Sequence, residues 1–246
     1  MNSPILPYHI FPLGDAAVTI DFGNVINEEV NNKVLALFHQ LRTDPLPGMI
    51  EAVPSYSSLT IYYDVYNTSK TIPVDGSVYE YVSGQLNDRL KQPLLKTDIA
   101  AKLVTIPVCY EKEFAPDIET LAKEKSISVD DVVTIHTSRQ YRVYMLGFLP
   151  GFSYLGEVDE RIAMPRKLQP ATVAAGSIGI AGKQTGIYPL VSPGGWQIIG
   201  KTPLKLFETS PNPSPWERVY EDFICLLHPG DTVQFISISK NEFENY

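Results

Sequence analysis

A glycine run with a lysine and a threonine inside it is the first place where this sequence could do chemistry. The segment AGSIGIAGKQTGIYP, starting at Ala175, carries Gly176, Gly179, Gly182 and Gly186, with Lys183 and Thr185 between the last two. A phosphate-binding loop needs G-x-x-x-x-G-K-[ST], so that successive backbone N–H groups wrap the phosphates while the lysine and hydroxyl complete the site. Aligning Gly182-Lys183 with the end of that pattern requires glycine at 177 and a hydroxyl at 184, where the chain has Ser177 and Gln184. The helix that should follow is excluded too, because TGIYPLVSPGG contains two prolines and three glycines. Glycines at this density instead let a backbone approach a ligand, or turn where side chains would collide. Gln184, Thr185 and Tyr188 supply neutral donors and acceptors in the same segment, the complement that an amide or lactam calls for. Gln184 and Thr185 are thus candidate catalytic groups, and Gly182, Gly186 and Tyr188 candidate substrate contacts.

Three further stretches are rich in glycine, proline and aromatics, yet too polar for simple core. In HTSRQYRVYMLGFLPGFSYLG, His136 stands at helical spacing from Val129, Val132 and Val133, on the inward face near a helix C-terminus. It reads either as a packed histidine favoured by the helix dipole or as a candidate catalytic imidazole facing a pocket. Phe148, Phe152 and Tyr154 follow on a loop that reads as a hydrophobic lid or contact surface. In MPRKLQP, Arg166 lies between prolines that stiffen the backbone, which suits its planar fork to clamping a carboxylate or phosphate as a candidate catalytic group. In VSPGGWQIIGKTPLKLF, a turn at Pro193-Gly194-Gly195 presents Trp196, with Lys201 close behind, and both are candidate substrate contacts. The sequence has no G-x-S-x-G, no H-E-x-x-H and no histidine pair at ligand spacing, so no metal site is expected.

The elements that must position these residues fall into two groups. Residues 1–95 alternate strand and helix patterns: AAVTIDFG is a strand with Val18, Ile20 and Phe22 on one face, and NEEVNNKVLALFHQL is a helix with Asn27 as its N-cap. MIEAVPSY and SSLTIYYD read as strands and SVYEYVSGQLNDRLK as a helix, so a small α+β domain is expected. KQPLLKTDIAAK marks the boundary. Residues 96–246 open with the strand LVTIPVCY and continue with the helix APDIETLAKEK, with Pro116 in its first turn. A second helix, VDDVVTIHTS, has the capping pair Ser128 and Asp131. Short strands broken by Gly and Pro then predict a mainly-β antiparallel barrel or sandwich: YRVYMLGF, SIGIAG, GWQIIGK, LKLFE and DTVQFISIS.

The 246 residues, with 44% hydrophobic and 20% charged content, describe an ordinary globular protein large enough for two modest domains. A net charge of -8 argues against nucleic acid or an anionic membrane as partner. Cys109 and Cys225 sit in apolar strand-like runs and read as buried free thiols of a reducing compartment. The N-terminus lacks a signal-peptide pattern, and no stretch approaches the roughly 20 apolar residues of a membrane span, so the cytoplasm is expected.

The pieces HTSRQYRVYMLGFLPGFSYLG, AGSIGIAGKQTGIYP and SPGGWQIIGKTPLKLF, with the PR pair at 165–166, occur in an order that resembles the B-subunit family of 5-oxoprolinase. That family is also called PxpB, KipI or allophanate hydrolase subunit 1. The resemblance is weak in FPLGDAAVTIDFG and strong from TIPVCY to HPGDTVQF. It implies a cyclophilin-like β-barrel behind a smaller α+β domain, and an ATP-dependent opening of 5-oxo-L-proline to L-glutamate with A and C companion subunits. In that scheme the lactam oxygen is phosphorylated, water attacks the ring carbon, and the chain is inactive alone. The C companion, KipA-like, is a related barrel; the glycine segment would line a cavity shared with it, where ATP could sit. The family names also carry two other readings, inhibition of a histidine kinase by direct binding and a role in an allophanate- or urea-transforming enzyme. The chain departs from the family pattern at QPATVAAGS, where Ala171 and Ala174 stand for the usual arginine and proline, and Arg166 or Lys167 could replace the missing charge.

Overall fold

The structure is a computed structural model that describes residues 7–72, 76–92, 101–209 and 223–246. The chain divides into two compact units, Met1–Ala100 and Ala101–Tyr246.

The first unit contains β1 (His9–Pro12), β2 (Ala17–Asp21), α1 (Glu28–Thr43), β3 (Met49–Pro54), β4 (Ser58–Tyr63), α2 (Val65–Ser69) and α3 (Val78–Lys91). Its strands form one antiparallel sheet in the order β1-β2-β4-β3. Val18, Ile20, Leu59 and Ile61 from the sheet share a core with Val34, Leu37 and Leu41 of α1 and Val82 and Leu86 of α3. Local chemistry sets the helix starts. Asn27 accepts the Val30 N–H at 3.0 Å, Glu28 and Glu29 occupy the first turn, and Ser77 caps α3 through Glu80 N–H.

The second unit runs through β5 (Leu103–Cys109), α4 (Ile118–Lys125), α5 (Val129–Thr137), β6 (Gln140–Leu146), β7 (Ser153–Gly156), β8 (Ala171–Val173), β9 (Ser177–Ala181) and β10 (Gln184–Ile187). It continues through β11 (Ser192–Gly194), β12 (Gln197–Lys201), β13 (Phe207–Thr209), β14 (Phe223–Cys225), β15 (Thr232–Ile238) and α6 (Lys240–Glu244). Seven strands close a barrel in the order β10-β7-β6-β15-β5-β12-β9, while β8–β11 and β13–β14 form separate two-stranded ribbons. The barrel is not wholly antiparallel: β15 pairs with β5 in parallel from Thr232↔Leu103 to Ile238↔Cys109. A parallel pair needs a long crossover, and here the rest of the unit supplies it.

Inward side chains of the barrel, among them Ile106, Val143, Leu155, Ile178, Ile180, Ile187 and Phe235, join Ile118 and Leu121 of α4 and Val132 and Ile135 of α5 in one core. Ser128 and Asp131 form the capping box of α5. The first of these helices starts two residues later than the proline signal predicts. Pro116 lies outside it, Asp117 is the N-cap, and the Asp117 side chain makes no bond to its own helix. The strand expected over LKLFE shrinks to β13, beginning at Phe207.

Candidate functional site

The glycine segment is a β-hairpin of the barrel wall. β9 and β10 pair Ala181↔Gln184, Ile180↔Thr185, Gly179↔Gly186 and Ile178↔Ile187. Gly182 at φ 59° opens the two-residue turn, and its position fits a type II′ turn, whose first central residue is usually glycine. Strand alternation sends Ile178, Ile180, Thr185 and Ile187 into the core and leaves Gly179 and Gly186 on the outer wall. There the indole of Trp196 lies across both. A Cβ on Gly179 would stand 2.9 Å from Trp196 Cβ, and one on Gly186 would stand 2.9 Å from Trp196 Cζ3 and 2.8 Å from the Ser153 carbonyl. Tyr188 is seated likewise on Gly194, where a Cβ would lie 2.5 Å from its hydroxyl oxygen. These glycines make room for aromatic rings, and the amides of Gly176 and Gly182 are spent on Tyr188 O and Met164 O.

Phe152, Tyr188 and Trp196 meet edge to face with Tyr154 in a second, smaller core on the outside of the barrel, with Val173, Ala181 and Ile198. Phe152, Tyr188 and Trp196 are buried, whereas Tyr154 is half-exposed at the edge and Phe148, in the preceding loop, is 62% exposed. Arg166 is exposed and carries its guanidinium carbon 5.9 Å from the centre of the Trp196 ring. Burial raises the phenol pKa values of Tyr154 and Tyr188, and the nearby Arg166 charge pulls both partly back. Gln184 is half-buried on the same outer face as Gly186, one outward position away, and stands across Gly156 from Arg142. Arg166, Tyr154 and Gln184 thus form a shelf around the buried Trp196, with a cation, the exposed edge of a phenol ring and an amide. Tyr154, read in the sequence as part of an aromatic loop, stands in strand β7, and Arg142, which the motifs do not single out, is brought beside Gln184 only by the strand register.

His136 and Thr185 lie elsewhere, in the barrel core, and neither has exposed surface. Thr185 Oγ1 donates to Gly179 O at 3.1 Å, so it can only accept from His136 Nε2, also at 3.1 Å. That leaves His136 Nδ1 as the acceptor for the Tyr110 hydroxyl at 2.7 Å. The ring also stacks on Phe235 with centroids 4.6 Å apart. Burial pushes the His136 pKa down to about 3, and burial drives Tyr110 well above its usual value. The imidazole is therefore neutral at pH 7, with both nitrogens engaged. It faces packed side chains, not the pocket that the catalytic reading of the sequence expects.

Lys201 is also separated from the shelf: its ammonium points to the Phe243 ring of α6, 5.9 Å away. A cleft of about 440 Å³ opens between α4, α5 and the end of β15, lined by Tyr110, Ile118, Val133 and Ile238 among others, and no residue of the shelf lines it. Among the described residues no group of three His, Cys, Asp or Glu side chains could hold a metal ion, and no helix is long and apolar enough to cross a membrane. Cys109 and Cys225 are unpaired.

Comparison with known proteins agrees with this architecture. Residues 8–216 match the family model described as carboxyltransferase domain, subdomain C and D. The chain is 45% identical over 241 residues to the 5-oxoprolinase B subunit of Bacillus subtilis (strain 168), covering 97% of this chain and 96% of that protein. It is 22% identical over 258 residues to the urea amidolyase of Saccharomyces cerevisiae, where it covers 94% of itself but 13% of that protein. The crystal structure of TTHA0988 superposes with a TM-score of 0.71 at 34% identity, over 91% of this chain and 40% of that one, so this chain spans about two fifths of it. The chain belongs to the carboxyltransferase-domain C and D family and, within it, to the B subunits of 5-oxoprolinase.

Proposed function

We propose that this chain is the B subunit of a cytoplasmic, ATP-dependent 5-oxoprolinase. It would open 5-oxo-L-proline to L-glutamate with A and C companion subunits, and have no turnover alone. The observation that carries the reading is the 45% identity, over 97% of the chain, to a protein named as that subunit. The outer-wall shelf gives the reading a chemical footing. 5-Oxo-L-proline is a flat lactam ring bearing one carboxylate. Arg166 offers a fork for the carboxylate, the half-exposed Tyr154 an aromatic edge for the ring, and Gln184 an amide to pair with the lactam, while the buried Trp196 is the platform under Arg166 rather than a direct substrate contact. Tyr188 acts by holding Trp196 in place, because its ring packs edge to face against the indole with centroids 6.4 Å apart. His136 and Thr185 hold the hairpin from inside.

The glycine segment does not fit the phosphates of ATP. Trp196 fills the space over Gly179 and Gly186, and the Gly176 and Gly182 amides already donate to carbonyls. We therefore assign the nucleotide to the companion subunits, and no step on this chain depends on touching it.

Replacing Arg166 with alanine is expected to raise KM for 5-oxoproline in the reconstituted complex by roughly 10- to 100-fold, the usual worth of a charge-assisted hydrogen bond. Turnover of 2-pyrrolidinone, the same ring without the carboxylate, should not change. Supplying the complex in turn with 5-oxoproline, allophanate and urea tests the substrate class. Glutamate formed from 5-oxoproline supports the reading. Nitrogen release from allophanate or urea alone would replace it with the chemistry named for the yeast relative.

A further inference from the structure

We propose that Asp117 and Gln197 are positioning residues that fix Arg166 over Trp196, with Lys167 as the link. Residues on both sides of Arg166 are tied to residues on both sides of Trp196. On one side, Gln197 Nε2 donates to Pro165 O at 2.9 Å. On the other, Lys167 N–H donates to Gly195 O at 2.6 Å, and Lys167 Nζ lies 2.5 Å from Asp117 Oδ2. The same Asp117 oxygen accepts the Ile198 N–H at 2.6 Å, and Asp117 N–H donates to Ile198 O at 3.0 Å. Asp117 is well placed to serve as an anchor. It is the N-cap of α4 but caps nothing in its own helix, and the helix it begins is rooted in the barrel core by Ile118 and Leu121. A carboxylate at a helix N-terminus is favoured by the helix dipole. The rigidity of the core thus reaches an exposed arginine through one shared carboxylate oxygen.

An arginine on a free loop loses rotamer and backbone freedom when it grips an anion, and tethering its neighbours removes part of that cost in advance. For binding, the proposal rests on the reading of Arg166 as the carboxylate clamp, but the tether itself has an independent readout. The chain has two tryptophans, so Trp216→Phe leaves Trp196 as the lone reporter in the full chain. In that background Arg166→Ala should shift Trp196 emission to the red and increase its quenching by acrylamide. Asp117→Ala and Lys167→Met should do the same, and adding Asp117→Ala to Arg166→Ala should move the signal no further. Lys167→Met keeps the Asp117–Ile198 bond, so it carries the test if Asp117→Ala fails to fold.

In the reconstituted complex Asp117→Ala and Lys167→Met should raise KM for 5-oxoproline by about 10-fold and leave kcat nearly unchanged, as loss of pre-organised binding does. The proposal is overturned if Lys167→Met leaves the emission at the parent value while Arg166→Ala shifts it. It is overturned too if the shifts of Asp117→Ala and Arg166→Ala add, or if Arg166→Ala shifts nothing. Coupled emission shifts with unchanged KM would support the tether and reject the substrate reading of Arg166.

Discussion

Replacing His136 with alanine should destabilise the second unit by about 3 to 5 kcal/mol, the range seen for large buried side chains that also leave a polar partner unpaired. The imidazole has no exposed surface and stacks on Phe235, so its removal opens a cavity the core cannot easily close. It also strands the buried Tyr110 hydroxyl, whose partner is His136 Nδ1. Thr185 suffers less, because it still donates to Gly179 O. Denaturant unfolding of the full chain measures the loss. A cost below about 1 kcal/mol, typical of surface substitutions, would show that the ring is not the strut described.

The same residue sets a pH dependence with a definite sign. The pKa of His136 falls from 6.5 to about 3 on folding, so between these values the unfolded chain binds the extra proton. Stability from this group is fully present above pH 6.5 and is lost as pH falls toward 3, with a limiting slope of about 1.4 kcal/mol per pH unit. Carboxylates with lowered pKa, such as Asp131 and Glu160, add to the acid loss mainly below their unfolded values near 4. The interval from about 5.5 to 6.5 therefore isolates the histidines. His39, whose pKa is lowered by burial and by Arg42, contributes there as well. Comparing the parent slope with that of His136→Gln removes the His39 share and should leave a clear difference.

Gly186→Ala should damage stability and function together. The new methyl would meet the Ser153 carbonyl at 2.8 Å, Trp196 Cζ3 at 2.9 Å and Phe152 Cζ at 3.2 Å. The carbonyl belongs to the neighbouring barrel strand and cannot retreat without breaking the ladder, and the indole is wedged by Phe152 and Tyr188. Overpacking of this kind costs about 1 to 3 kcal/mol, and its easiest relief is to push Trp196 off the wall, taking the seat of Arg166 with it. Gly182→Ala is the matching control in the same hairpin. Gly182 has a positive φ of 59°, but a methyl there would meet nothing within 4 Å, so its cost is only the strain of a positive φ, about 1 to 2 kcal/mol. Thermal unfolding and Trp196 emission of the two variants compare the effects. Equal losses in both would mean that conformation, not room for the indole, is what these glycines supply.

How legible each feature is depends on how far away its cause lies. The Asn27 cap, the Ser128–Asp131 box and the apolar period of α1 are decided within a few residues, and all stand in the structure as the sequence predicts. The closed barrel and the α+β unit, implied by the family resemblance, are also present. The parallel pairing of β5 with β15 is not readable, because nothing local distinguishes a parallel partner more than a hundred residues away. Nor is the purpose of the glycines, since a missing side chain takes its meaning from whatever fills the gap, here an indole arriving from the bend between β11 and β12. His136 can be put on an inward helix face from its spacing, but its partners are 26 and 49 residues distant. Asp117 reads as a helix signal and acts on residues 50 and 81 positions further along. Arg166 is legible as a cation on a stiff segment, though the tether that aims it is not.

The most direct measurement is glutamate release from 5-oxoproline and ATP by this chain with its A and C companions, and with each component omitted in turn. The account expects release from the complete mixture only, collapsing when this chain is left out and falling when it is supplied as Arg166→Ala. Undiminished release without this chain, or none from a complete and stable complex, would contradict it.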